Sequence, residues 1–219
     1  ALKDARIMVL QSHINPHFMN NTLEIINWEA RLGGNEKVSR MIEALATLMD
    51  AAMDRKKRTF VPLSEEMMYV NAYLYINSER FGKRLTVIKE LDESIMQYEV
   101  PRLILQPVIE NAIEHAIEER ENAKYLFVKI YKLPDGSVRF EISDDGDGMS
   151  EKEIELLLEN LHKKKRDEEE SVGLWNVNQR LINYYDSSAG LRFGRSIWGG
   201  LLVSFTILPK RTENEAVDC

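Results

Sequence analysis

Three stretches of the chain hold residues whose types and spacing suit nucleotide chemistry. The first is Arg102-Leu-Ile-Leu-Gln-Pro-Val-Ile-Glu-Asn-Ala-Ile-Glu-His-Ala116. Leu105, Val108, Ile109 and Ala112 recur at helical spacing and form a buried stripe, while Asn111 and His115, four apart, share another face. Alone, this is equally an amphipathic helix with a wet polar side. The second is Ile142-Ser-Asp-Asp-Gly-Asp-Gly-Met149, an acidic pair at the end of a strand followed by two glycines one residue apart. Asp-Gly is common in ordinary turns. Glycines there also let the backbone approach a ligand closely and adopt positive φ. A buried carboxylate beside them can accept a hydrogen bond from an exocyclic amine, which selects adenine over guanine. The third, Ser171-Val-Gly-Leu-Trp-Asn176, is a loop entering a helix, where free backbone amides can face phosphate. Each signal is weak by itself. The three in this order are strong.

The elements that must carry these residues follow from periodicity. Over residues 2–31, Ile7, Leu10, Ile14, Phe18, Leu23, Ile26 and Ala30 give an amphipathic helix that Gly33, Gly34 and Asn35 break. Val38, Met41, Ile42, Leu45, Leu48, Met49 and Ala52 give a second helix, ending at the charged stretch 54–58. One hairpin cannot bury two apolar stripes, and the economical cover is a second copy, so a dimeric four-helix bundle is expected. After Pro62, Ser64 is read as N-cap of a third helix with Glu65 and Glu66 in its first turn, running to Phe81. Strands are expected over 85–91, 124–133, 137–143 and 201–208, and helices over 102–119, 151–161 and 173–185. The fold class is therefore α+β: an N-terminal helical hairpin followed by an α/β sandwich with helices on one face of one sheet. Residues 1–60, 61–212 and 213–219 divide as hairpin, sandwich domain and tail.

Composition narrows the classes. The net charge of −7 argues against a basic nucleic-acid-gripping face, and no apolar run is long enough to span a membrane. The single Cys219 excludes an intrachain disulfide and a cysteine zinc site, and suits a reducing compartment. The start has no apolar signal segment and no initiator Met, so an excised fragment is expected.

Taken together, the motifs resemble the GHKL ATP-binding fold shared by sensor histidine kinases, MutL proteins and heat-shock chaperones. Asn111 in Glu-Asn-Ala is similar to its N box, Asp144-Asp145-Gly146-Asp147-Gly148 to its Asp-x-Gly-x-Gly box, and Val172-Gly173-Leu174-Trp175-Asn176 to its second glycine box. Gly199-Gly200 resembles its closing glycines, and the likeness covers residues 62–209. By this resemblance Asn111 holds Mg²⁺ through its side-chain oxygen, Asp144 reads the adenine amine, Gly146 and Gly148 shape the pocket, and Gly173, with Leu174 beside it, lies against the phosphates near His115. Residues 149–170 take the place of a lid over the nucleotide, with Lys163, Lys164 and Lys165 as candidates to touch phosphate. Ser171 stands where the family usually has Gly, and Leu201 where Thr often follows the paired glycines.

The segment Leu10-Gln-Ser-His-Ile-Asn-Pro-His-Phe-Met-Asn-Asn-Thr-Leu23 resembles the phosphoacceptor region of the LytS/YesM-like sensor kinases. Pro16 cannot donate its amide to the Ser12 carbonyl, which loosens the helix just before His17. The resemblance implies that His17 takes the γ-phosphoryl group of Mg-ATP and passes it to an aspartate on a response regulator. Phosphoryl transfer asks the protein chiefly for positioning and charge stabilisation. Phe18, not an acid, follows His17; Glu110 is the candidate base, and Asn21, on the face of His17, the candidate to position water for dephosphorylation. A homodimer is implied, with no nucleic-acid partner. The fragment is implied to be cytoplasmic, and the full-length protein an integral membrane protein with its sensor upstream. A conformational ATPase of the chaperone or mismatch-repair kind is the main alternative. Those proteins place a hydrolytic Glu four residues before the N-box Asn, where this chain has Pro107. A catalytically degenerate dimeric scaffold is the other.

Overall fold

Strict alternation of side chains fixes the central sheet. β5 (Val138–Asp144) buries Val138, Phe140, Ile142 and Asp144 and turns Arg139, Glu141 and Ser143 the other way. Its neighbours β4 (Tyr125–Lys132) and β7 (Leu201–Ile207) are antiparallel to it. Their register builds cross-strand rows on one face, Val128–Ile142–Val203 and Ile130–Phe140–Phe205. The Phe140 and Phe205 rings stack with centroids 4.6 Å apart. Parallel β2 (Thr86–Leu91) and antiparallel β6 (Arg192–Arg195) complete five strands in the order β2-β4-β5-β7-β6. The computed structural model describes residues 16–53, 58–118, 124–162 and 172–208.

The apolar rows are covered by helices on one side. These are α3 (Leu63–Phe81), α4 (Gln106–Ala112) and α6 (Val172–Tyr184), whose Val70, Leu74, Val108, Ile109, Val177 and Leu181 join the same core. This is the expected α+β sandwich. A lid-side helix α5 (Glu151–His162) follows the glycine-rich turn. Ser150 and Glu153 form a reciprocal capping box at its start, Ser150 N donating to Glu153 Oε2 (2.7 Å) and Glu153 N to Ser150 Oγ (3.3 Å). At its other end the Leu161 carbonyl accepts from Asn178 Nδ2 (3.3 Å) and Gln179 Nε2 (3.0 Å) of α6.

The hairpin is α1 (Pro16–Leu32) and α2 (Glu36–Met53), turned at Gly34 with φ +69°. Asn35 Oδ1 caps α2 by accepting from Val38 N (3.2 Å), and Asn20 Nδ2 reaches across to Asp50 Oδ1 (3.0 Å). Arg31 pairs with Glu43, and Lys37 ties α2 to Glu79 of α3. The expected helical run over 2–15 lies outside the described residues.

Several expectations need correction. Ser64 is not the N-cap of α3: Pro62 occupies that position, and Ser64 N donates to the Met96 carbonyl (2.8 Å). The helix expected over 102–119 is α-helical only from Gln106; residues 102–105 form a turn, and Ile113–Glu118 is π-helical. Widening to the π form frees carbonyls, and Arg84 Nη2 takes that of Ile117 (2.8 Å). A two-stranded ribbon, β1 (Phe60–Pro62) with β3 (Glu99–Pro101), and the edge strand β6 were not anticipated.

Candidate nucleotide site

Because Asp144 is in phase with Phe140 and Ile142, its carboxylate enters the layer between sheet and helices rather than solvent. There it is held firmly. Oδ1 accepts from Gly146 N (2.9 Å) and Leu201 N (3.2 Å). Oδ2 accepts no hydrogen bond among the described residues, so one oxygen is left for a ligand. Burial pushes the Asp144 carboxyl up from its ordinary range, the two amides oppose this, and the neighbouring Asp145 adds to it. Asp145 turns away and accepts from Lys124 N and Tyr125 N, both at 2.8 Å. The acidic pair thus divides, Asp144 turned to the cleft and Asp145 to the start of β4.

Glycines are required around Asp144 for space. A β-carbon on Gly200 would overlap Asp144 Oδ1 and sit 2.6 Å from Gly146 N. Gly148, at φ +72°, brings its backbone against the Gly200 carbonyl. On the opposite side Gly173, near the start of α6, leaves 3.2 Å between its would-be β-carbon and Pro107 Cβ, which allows α6 to pack on α4.

These groups surround one cleft of about 710 Å³. Asn111, His115, Asp144, Gly148, Gly173 and Leu174 all line it, as does Glu110, whose Oε1 accepts from Gln106 Nε2 (2.8 Å). Gly146 does not line it and acts from behind, through its amide on Asp144. Leu201 lines the cleft and contributes its backbone amide, so the lack of a hydroxyl there does not remove the contact to Asp144. Glu153, Leu156, Leu157 and Asn160 of α5 also line it; the helix expected over 151–161 carries them, but none was singled out in the sequence. Lys163–Lys165 and Ser171 lie outside the described residues.

The hairpin contributes nothing to the cleft among the described residues. His17 is the second residue of α1, directly after Pro16, and exposed Asn21 lies one turn along the same helix. The structure therefore gathers Glu110, Asn111, His115, Asp144, Gly148, Gly173 and Leu174 at one cleft, and Asn21 is not among its lining residues.

The Mg²⁺ expectation can be tested against donor chemistry. Among the described residues no three His, Cys, Asp or Glu side chains gather as a metal cage. The half-buried Asn111 offers a hard carbonyl oxygen in the cleft. That suits Mg²⁺, which is commonly held by one or two protein oxygens together with substrate phosphates. The residues fit the ion.

Residues 101–211 match the family described as histidine kinase-, DNA gyrase B-, and HSP90-like ATPase, and residues 5–85 match the histidine kinase family. Sensor histidine kinase YesM of Bacillus subtilis is 32% identical over 97% of this chain, and sensor protein LytS of the same organism 31% identical over 94%. The chain spans 34% of the length of each of these relatives. The solved catalytic domain of histidine kinase ThkA is 18% identical, with a TM-score of 0.53 over 71% of this chain and 98% of that one, a likeness of fold. No described helix is long and apolar enough to cross a membrane.

Proposed function

The chain belongs to the histidine kinase-, DNA gyrase B- and HSP90-like ATPase family, on its sensor-histidine-kinase side, and we propose that it is the catalytic core of a two-component sensor kinase. ATP binds in the cleft, with its adenine amine on Asp144 Oδ2 and its phosphates toward Asn111, His115 and Gly173. Asn111 would hold Mg²⁺, which supplies charge neutralisation on the phosphates. His17 is the acceptor: its neutral imidazole nitrogen forms the N–P bond to the γ-phosphorus as the bond to the bridging oxygen breaks, with ADP leaving. Glu110 receives the imidazole proton; its position at the cleft, with Oε1 accepting from Gln106 Nε2, supports this role. The phosphoryl group then passes to an aspartate of a response-regulator receiver domain, and Asn21 positions water for dephosphorylation, in which water attacks phosphorus and inorganic phosphate is released. The chain works on the cytoplasmic side of a membrane-bound sensor, with residues 1–60 as the hairpin and 61–212 as the ATP-binding domain.

The observation that carries this reading is Asp144, a buried carboxylate fixed through Oδ1 and open at Oδ2 in a cleft shared with Asn111. Incubation with Mg²⁺ and γ-labelled ATP tests it: protein-bound label that is acid-labile and alkali-stable is expected. Free phosphate with no protein label would instead mark a conformational ATPase.

Asp144→Asn should weaken ATP binding about 10- to 100-fold, because the amide places a donor against the adenine amine, a loss of ~1.5–3 kcal/mol. Calorimetric titration checks this, and unchanged affinity would remove Asp144 from adenine recognition.

The hairpin also predicts an assembly. Ile25, Trp28 and Leu32 of α1 are 65%, 67% and 74% exposed, too much apolar surface on one helix for a lone hairpin to leave in water. A second copy is the cover we propose. Sedimentation should give a dimer, and a strict monomer at micromolar concentration would rule out the four-helix bundle.

A further inference from the structure

The turn between β6 and β7, residues 196–200, wraps the end of the sheet. On the helix side its Gly200 backbone closes against Asp144 and Gly146, and Leu201 N donates to Asp144 Oδ1. On the open face of the sheet its Trp198 lies flat on Phe127 of β4, ring centroids 4.5 Å apart and planes 7° from parallel. Phe127 belongs to the outer row Phe127–Ser143–Leu202, opposite to the buried row of Leu126 and Asp144. One five-residue turn therefore has one end in the candidate adenine pocket and the other on the far side of the sheet.

What holds this turn is mostly internal to it. Ser196 N donates to the Gly200 carbonyl (2.8 Å), Gly199 N to the Ser196 carbonyl (3.0 Å) and Trp198 N to Ser196 Oγ (3.1 Å). These bonds set its shape but do not fix it to the rest of the sheet. β6 is a four-residue edge strand, Gly199 sits at φ +105°, and Ile197 is 90% exposed. The Trp198 stack is the turn's attachment to β4. The same stretch of β4 is held by Asp145 through Lys124 N and Tyr125 N, and Tyr125 stacks on Phe127 at 6.0 Å. Asp145 is thus tied to the first residues of β4 by its side chain, and Asp144, whose backbone pairs with Leu126 in the ladder, has its carboxylate tied to β4 through Leu201, the turn and Trp198.

We infer that Trp198 is a positioning residue for base recognition: its stack on Phe127 sets the Gly200–Leu201 backbone that aims Asp144 at adenine. The inference rests on the reading of Asp144 as the adenine acceptor. A tryptophan 54% exposed on an open sheet face adds little to the core, so its removal should be felt more in the pocket than in the fold.

The test is discrimination between ATP and GTP, measured by competition for the site, in the full chain and in the variants Trp198→Ala, Trp198→Phe, Phe127→Leu and Asp144→Asn. Trp198→Ala and Phe127→Leu each remove one ring of the stack, and each should lower ATP affinity about tenfold while leaving GTP unchanged. Trp198→Phe keeps a ring on Phe127 and should restore most of the preference. A merely stabilising role would shift the melting temperature and leave the ATP-to-GTP ratio alone. If both ring deletions keep the ratio within twofold while Asp144→Asn loses it, the role of Trp198 is overturned. If Asp144→Asn also keeps it, the adenine reading falls as well, and the inference with it. Phe127→Leu secures the result should Trp198→Ala fail to fold.

Discussion

His17→Gln is expected to reduce acid-labile protein-bound phosphate to background while leaving ATP affinity within about twofold of the parent. The two halves of that result have separate physical grounds. Glutamine has no imidazole nitrogen lone pair, so it cannot form the N–P bond, and no rearrangement of the lid or of Mg²⁺ can substitute for the missing nucleophile. Binding should survive because the described cleft is lined entirely by residues 107–203, with no contribution from the hairpin. Because no described hairpin residue lines the cleft, transfer to the proposed acceptor His17 requires the hairpin and the cleft to approach each other, in one chain or between two. Phosphate analysis on acid- and alkali-treated protein makes the measurement direct. Label that persists in the variant would move the acceptor elsewhere, and His115, already in the cleft, would be the next residue to replace. Loss of ATP binding together with label would mean that α1 supports the nucleotide site in a way the described contacts do not include.

Much of the site was legible because its residues obey local rules. Asp144 follows Val138, Phe140 and Ile142 at a spacing of two, so its inward direction is written in the strand itself, and Gly146 and Gly148 mark the backbone that must come close. Asn111 and His115 reached one cleft as expected, although by a different route: the helix changes to the π form at Ile113, between them. No propensity pattern in Ile-Glu-His-Ala-Ile-Glu announces that change, whose freed Ile117 carbonyl is taken by Arg84, from the turn that follows α3. The three-residue strands β1 and β3 were invisible for the same reason. Their pairing joins Phe60 to Pro101 across some forty residues of intervening chain, and neither is long enough to show alternation. β6 contains Gly194 and has Arg at both ends, so it reads as loop until β7 is beside it. Ser64 misled because Ser is a strong N-cap by type, yet the chain arrives through Pro62, and the tertiary contact to Met96 claims the Ser64 amide.

Glu66 is the clearest case of a residue whose importance is nonlocal, and its truncation should have the largest effect on stability. In the sequence it is one of two acids in the first turn of α3; in the structure it is fully buried. Leu103 stands at φ +53°, and this left-handed residue lets three successive amides converge: Leu103 N on Glu66 Oε2 (2.7 Å), Ile104 N and Leu105 N on Oε1 (2.7 and 2.9 Å). Arg180 of α6 grips the same turn from outside, Nη1 on the Leu103 carbonyl (3.3 Å) and Nη2 on that of Arg102 (2.5 Å). Burial pushes the Glu66 carboxyl up, while the three amides and the Arg180 charge hold it down. Glu66→Ala would leave three buried donors without an acceptor and Leu103 without the anion that sustains its strained backbone, a loss of about 3–5 kcal/mol. For a protein of this size that corresponds to a fall in Tm of roughly 6–20 °C. Glu66→Gln keeps the volume and one good acceptor but turns an amide group toward a backbone N–H, so about half the loss is expected. Thermal denaturation by circular dichroism gives both values. The turn leads directly into α4, which carries Glu110 and Asn111, so the Gln variant at a temperature where it is folded should also bind Mg-ATP more weakly. An Ala variant within about 1 kcal/mol of the parent would show that the turn holds its shape without the carboxylate, leaving Arg180 to anchor it.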